Sequence, residues 1–194
     1  MNDEATAVAA VLDAIQDSFR DRIAGGVGTL PGRPESWGFV GARTADVLEK
    51  LQVARRATPA RSPRFLECGS GFGFVAALAR ELGFTVTGVE IDPSYVEMSR
   101  RLFPSVRVEE ADLCTFDRYG DFDVVYYYGP FADDEVQARF ERRVEEGLRP
   151  GGIVLAARKV TDDWRTNGFD LLTTIGVNSY VIQKQVALAG GAGV

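Results

Sequence analysis

The sequence predicts an α/β fold, an open and mostly parallel sheet with helices packed against it. Three observations predict it. Arg64–Cys68 is a short apolar run that reads as a buried strand, and it enters a turn with glycines at alternate positions, Gly69, Gly71 and Gly73. A helical pattern follows at once, with Phe74, Val75, Leu78, Ala79 and Leu82 on one face. Residues 84–90, Phe-Thr-Val-Thr-Gly-Val-Glu, then read as a second strand that ends on a carboxylate, Glu90. Strand, glycine turn and helix is how an open α/β sheet builds a nucleoside site at its strand ends. The glycines let backbone approach a ligand where a Cβ would collide, and the helix start offers unpaired N–H groups.

The remaining elements follow in order. Residues 3 or 4 to 23 have helical spacing, with Val8, Val11, Leu12, Ile15 and Phe19 on one side. Residues 25–41 are rich in glycine and proline and read as a loop. A second helix is expected over 42–56, with Val47, Leu48 and Leu51 facing inward, and 58–63 link it to the first strand. A third strand over 106–109 leads to Ala111-Asp112-Leu113. Residues 122–128 read as the fourth strand and 152–159 as the fifth. Between them, 133–146 read as a helix whose first turn is acidic, as the helix dipole favours. Two last strands, 169–174 and 179–186, fit an antiparallel hairpin, and 160–168 are too short for a full helix with loops. The tail 187–194 is small and glycine-rich, and mobility is expected of it. The chain thus reads as a single domain. Residues 1–63 give N-terminal helices and a candidate lid, 64–159 a cofactor-binding core, 160–186 a strand pair and 187–194 a tail.

Spacing narrows the ligand. A dinucleotide fingerprint needs glycine or alanine three residues after its second glycine. That position here is Phe74, too bulky for close helix–strand packing; the pattern is Glu67-x-Gly69-x-Gly71-x-Gly73. An acid two places before the first glycine suits a ligand with an amino group at that end, as in S-adenosylmethionine. Here the chain resembles the class I S-adenosylmethionine-dependent methyltransferases. The resemblance runs over residues 64–159 and rests on the glycine motif, Gly88-Val89-Glu90-Ile91-Asp92, Glu110-Ala111-Asp112 and Leu148-Arg149-Pro150-Gly151-Gly152. It implies a Rossmann-like sheet of seven strands in the order 3-2-1-4-5-7-6, mostly parallel, with the last inserted strand antiparallel. It implies S-adenosylmethionine as cofactor and S-adenosylhomocysteine as product. Glu67, Gly69, Ser70, Gly71 and Gly73 would hold the methionine part. Glu90, with Ile91 beside it, would take both ribose hydroxyls, and Asp112 the adenine amino group, with Leu113 against the ring. Cys68 stands where the family has an apolar residue, and its expected role is a small buried strand residue.

In this family the chemistry lies at the carboxyl end of the fourth strand, here Tyr126-Tyr127-Tyr128-Gly129-Pro130-Phe131. Methyl transfer is an in-line displacement, dominated by alignment and desolvation, and aromatic faces attract a sulfonium. Tyr128 and Phe131 are the catalytic candidates, Tyr127 a cofactor contact and Pro130 a substrate contact. Strand alternation turns Tyr126 and Tyr128 one way and Tyr127 the other, so at least one belongs to the core. Tyr128-Gly129-Pro130-Phe131 partly resembles the Asn/Asp-Pro-Pro-Tyr/Phe tetrad of amino-group methyltransferases, without the amide or carboxylate that binds a planar nitrogen. A looser resemblance is to non-SET lysine methyltransferases. In the stretch 36–40, Trp37 and Phe39 are substrate-side candidates between flanking glycines, either a mobile lid or an anchor for the N-terminal helices. Asp133 and Asp134 are a candidate local base or amine site, or caps of the helix that follows. Asp162, Asp163 and Trp164 sit where they would rim the site.

Composition bounds the rest. The net charge is −6, which argues against a broad nucleic-acid surface. There is no histidine, and two cysteines in unrelated contexts give neither a disulfide framework nor a metal motif. The start is acidic and lacks signal-peptide regions, no segment is apolar enough to span a membrane, and a cytoplasmic location is the default expectation. The function expected is methyl transfer to a small molecule. The alternatives are a lysine-type protein N-methyltransferase with an open site, or a protein that binds S-adenosylmethionine without transferring methyl. Oligomeric state is left open.

Overall fold

A computed structural model of the chain describes residues 3–22, 29–30, 33–37 and 40–186. Two helices come first, α1 (Asp3–Arg22) and α2 (Thr44–Ala57). Between them, where the glycine and proline content suggests a loop, lies an antiparallel pair, β1 (Thr29–Leu30) and β2 (Arg33–Trp37). This corrects the expected loop. Sequence alternation does not mark the pair, because it is held by contacts to the rest of the fold rather than by a core of its own.

Helix α2 starts two residues later than expected. No side chain of its own caps it; Asp13 of α1 accepts from the Thr44 N–H (3.3 Å) and from its hydroxyl. Both helices lie on one face of a seven-stranded sheet formed by β3 (Arg64–Cys68), β4 (Thr85–Glu90), β5 (Arg107–Glu110), β6 (Val124–Tyr128), β7 (Ile153–Ala157), β8 (Phe169–Thr174) and β9 (Tyr180–Lys184). The order across the sheet is β5-β4-β3-β6-β7-β9-β8. Numbered within the sheet this is 3-2-1-4-5-7-6, as the resemblance implies. Strands β5 through β7 run parallel; β9 is antiparallel to both β7 and β8.

Alternation along each central strand splits the core in two. Phe65, Val124, Tyr126, Ile153 and Leu155 face α2 and α3 (Phe74–Glu81). Leu66, Cys68, Val125, Tyr127, Val154 and Ala156 face α5 (Asp134–Gly147) and its Phe140 and Val144. Strands covered on both faces read as continuous apolar runs, which is why 124–128 and 153–157 carry no polar alternation. The expected elements include no helix between the second and third strands; the structure places α4 (Pro93–Leu102) there. Its start has a sequence signature: Asp92 caps it by accepting from the Ser94 N–H at 2.8 Å, and Pro93 occupies the first turn. The short stretch before β8 holds one 3-10 turn, Asp163–Arg165, in place of a helix. The expectations on Ile23 and on the tail 187–194 lie outside the described residues.

Under α5 sits a buried charge cluster. Lys159 Nζ is 3.1 Å from Glu141 Oε2 and 2.8 Å from Glu145 Oε1, all three side chains being shielded from solvent. Glu141 also accepts the Val160 and Thr161 N–H groups, so it fastens the segment after β7 to α5.

Candidate functional site

The order of the sheet reverses between β3 and β6, and in such sheets a crevice opens outside the carboxyl ends of the strands at that point. A cleft of about 910 Å³, counting its mouth, lies there. Its floor is the turn after β3. Gly69 and Gly71 adopt φ of 70° and 51°, a region that suits glycine. The Gly69 and Ser70 N–H groups both donate to Val89 O at 2.9 Å, which folds the turn over β4.

Three acids come to the cleft from three strand ends. Glu67 is 4% exposed, and its Oε2 accepts the Ala76 N–H of α3 at 2.8 Å. Burial pushes its carboxyl well above the ordinary value; the Ala76 N–H opposes this and nearby Glu90 adds to it. Glu90 is 6% exposed and accepts three backbone N–H groups. Gly71 donates to Oε2 at 2.7 Å, and Ile91 and Asp92 donate to Oε1 at 2.8 and 3.0 Å. Burial still raises its pKa against those three bonds. A carboxylate has about four acceptor sites. Three are in use, so part of that acceptor capacity is left for a ligand's hydroxyls. Asp112, after β5, accepts the Cys114 N–H at 2.8 Å and pairs with Arg33 Nη1 at 3.0 Å. Burial pushes its carboxyl up, but the Cys114 N–H and the Arg33 guanidinium outweigh that and hold it below the ordinary value.

The roof is β2. Arg33 ties it to Asp112 on one rim. On the other rim the Trp37 N–H donates to Pro130 O (3.2 Å), and the Ala132 N–H donates to Glu35 O (2.7 Å). Ser36 forms an isolated antiparallel bridge with Phe131. The strand therefore crosses the mouth and is fixed at both sides.

The structure brings together Glu67, Gly69, Ser70, Gly71, Glu90, Ile91, Asp112, Leu113, Trp37, Tyr128, Pro130 and Phe131, all of which line the cleft. Three expected site residues lie elsewhere. Tyr127 is fully buried on the opposite face, its ring 5.2 Å from that of Phe140, because strand alternation turns it away. Asp133 is exposed and caps α5, accepting from the Glu135 and Val136 N–H groups at 2.9 Å each. Gly73 starts α3 with φ 81°; a Cβ there would collide with Ser99 of α4, so its missing side chain serves helix packing. Phe39 lies outside the described residues. Sequence reasoning missed Tyr95 as a lining residue, while Ser36 and Tyr126, within the candidate stretches 36–40 and 126–131, also line the cleft. Tyr126 carries a signal in its register, since it sits beside Glu67 across β3 and β6.

Comparison with known proteins agrees with this geometry. Residues 65–152 match the family model described as "Methyltransferase domain". That match takes in the glycine turn and the ends of β3, β4 and β6, the parts that line the cleft. A stretch of 104 residues is 35% identical to 2-methyl-6-phytyl-1,4-hydroquinone methyltransferase of Synechocystis, covering 50% of this chain. The match spans only 30% of that relative's length. Among solved structures, a TehB-like S-adenosylmethionine-dependent methyltransferase from Corynebacterium glutamicum aligns over 91% of this chain and 99% of its own, with TM-score 0.53 and 15% identity. An RNA methyltransferase from Salinibacter ruber, in complex with S-adenosylhomocysteine, aligns over 75% and 92%, with TM-score 0.53 and 22% identity. At these identities the structures carry the fold alone.

The cleft offers features that fit S-adenosylmethionine. Glu67 presents an acid to an amino group, and the positive φ at Gly69 and Gly71 keeps the turn free of side chains. Ser70 is 4% exposed, lines the cleft, and its Oγ has no hydrogen-bond partner among the described residues. A buried unpaired hydroxyl on a cleft wall is a group that a ligand satisfies.

Proposed function

We propose that this chain is an S-adenosylmethionine-dependent methyltransferase whose acceptor is a small molecule. When bound, S-adenosylmethionine supplies a methyl group: the acceptor's lone pair bonds the methyl carbon as the carbon–sulfur pair passes to sulfur, and the acceptor's proton leaves to water. Glu67, Gly69, Ser70 and Gly71 would hold the methionine end. Glu90 would accept from the ribose hydroxyls, and Asp112 with Leu113 would meet the adenine. Tyr128, Pro130 and Phe131 shape the wall at the end of β6. Their work is to align the acceptor and exclude water, which needs no dedicated base.

The observation that carries the small-molecule reading is β2 across the mouth, fixed to Asp112 on one rim and to Pro130–Ala132 on the other. A roofed cleft admits a small molecule more readily than a side chain on a folded protein. The net charge of −6 points the same way, since a nucleic-acid substrate favours a basic surface. The hydroquinone methyltransferase from Synechocystis is named for a small-molecule acceptor.

The test is mass spectrometry after incubation with S-adenosylmethionine and a panel of small phenols, amines and carboxylic acids, beside a panel of protein substrates. The expected result is a methylated small molecule with matching S-adenosylhomocysteine. Methylation confined to protein would overturn the acceptor class. Tight cofactor binding without any methyl transfer would favour a binding role instead.

A further inference from the structure

A second hollow, about 470 Å³ counting its mouth, adjoins the cleft. The two share Ala42, Tyr126 and Tyr128 in their linings. This hollow lies between the first turns of α2, the ends of β6 and β7, and the β8–β9 turn. Its charged lining is Arg43, Asp46, Lys50 and Arg158, three cations to one carboxylate in a chain of net charge −6. The carboxylate is already engaged, since Asp46 pairs with Arg43 at 3.9 Å.

The two remaining cations are unusual. Lys50 is only 3% exposed, and among the described residues it forms no ion pair or hydrogen bond. Burial lowers its pKa against the pull of Asp46 and Glu49, and an anion beside it would oppose that shift. Arg158 is exposed and likewise has no carboxylate partner among the described residues. Its guanidinium lies over two rings, 5.5 Å from Trp37 and 5.9 Å from Tyr128, so it reaches from the strand end to the roof. Its backbone adopts φ 55°, a left-handed conformation that a bulky residue holds only where its surroundings impose it. Such positions collect at functional sites. Independently, Tyr126 is 2% exposed, lines both hollows, and its hydroxyl has no hydrogen-bond partner among the described residues. A buried hydroxyl without a partner is costly unless something else meets it.

The geometry points to this hollow as the acceptor site, and to an acceptor that carries a carboxylate, held by Arg158 and Lys50. This rests on the methyltransferase reading of the adjoining cleft. The planar fork of Arg158 suits a carboxylate, which it can meet with two parallel hydrogen bonds. The acceptor's reacting atom then faces the shared wall at Tyr126 and Tyr128, beside the cleft where the methyl donor is proposed to lie. Tyr126 donates its free hydroxyl to the acceptor.

The experiment is calorimetry on the full chain in two stages. First, S-adenosylhomocysteine is titrated alone; failure to bind refutes the methyltransferase reading itself. Next, the loaded protein is titrated with para-hydroxybenzoate and para-hydroxyphenylacetate, each against its neutral amide, and with tyramine as a cationic counterpart. The acids should bind at least about tenfold tighter than their amides, the effect of one charge-assisted contact. Arg158→Gln should erase that preference while S-adenosylhomocysteine still binds. Arg158 is exposed, so the variant folds without a core defect. The proposal is overturned if neither acid binds the loaded protein, if amides or tyramine bind as well as the acids, or if the preference survives Arg158→Gln.

Discussion

Replacing Glu90 by alanine separates a ligand contact from a structural brace. The carboxylate accepts N–H groups from Gly71, Ile91 and Asp92, tying the glycine turn to the end of β4. The Gly71 bond is buried, so its donor loses its partner with no access to water. The other two are partly buried and can turn to solvent. A stranded buried donor costs about 1–3 kcal/mol, and each solvated one costs less. Against this, alanine removes a carboxylate whose burial already raises its pKa. The net loss of stability should be roughly 2–3 kcal/mol, or about 4–12 °C in Tm for a chain of this size. Cofactor affinity should fall as well, because the turn that presents Gly69 and Gly71 loses its fastening. Thermal unfolding and S-adenosylhomocysteine titration on the same samples read the two effects. An unchanged Tm would refute the bracing role, and an unchanged affinity would remove Glu90 from the site.

Further outcomes follow from the geometry. Glu67 is pushed above its ordinary pKa chiefly by burial, so between about pH 4.3, its unfolded value, and its raised folded value the native state holds more protons; stability should fall as pH rises through that window, and Glu67→Gln should flatten the dependence. The same ionisation favours an ammonium group, so the Tm gain from S-adenosylmethionine should grow with pH over that range; a gain independent of pH would take the ligand's amino group away from Glu67. Tyr127→Phe should leave cofactor affinity unchanged and match or exceed wild-type stability, since its buried hydroxyl has no partner; a loss of affinity would return Tyr127 to the site. Arg33→Ala should cost about 0–1 kcal/mol of stability, as for exposed ion pairs, while speeding both association and release of S-adenosylhomocysteine in stopped-flow traces; unchanged rates would mean that β2 does not gate the cleft.

Much of the sheet was legible because its signals are local. The run 64–68, Gly69 and Gly71, and the terminal acid of β4 mark the floor of the cleft without knowledge of the partner strands. The last hairpin was legible too, from short runs around a turn. What the sequence hid depends on contacts distant along the chain. Gly73 looks like a ligand glycine by spacing, yet its neighbour is Ser99 of α4. Strand β2 has no periodicity that separates it from a loop, and its order comes from Asp112 and the segment 130–132. Glu90 ends β4 as expected, but it also accepts three backbone N–H groups, which only the folded chain brings to it. Tyr127 was decidable in principle: residues alternate along β6, and Tyr126 in register with Glu67 fixes which tyrosine meets the cleft.

Calorimetric titration of the purified chain with S-adenosylmethionine, S-adenosylhomocysteine and NAD, repeated on Gly71→Val, tests the central claim most directly. The first two should bind and NAD should not, and binding should be lost in the variant with its circular dichroism preserved, because a side chain at Gly71 intrudes on the floor of the cleft. Binding of NAD alone, or undiminished affinity in a folded Gly71→Val protein, would contradict it.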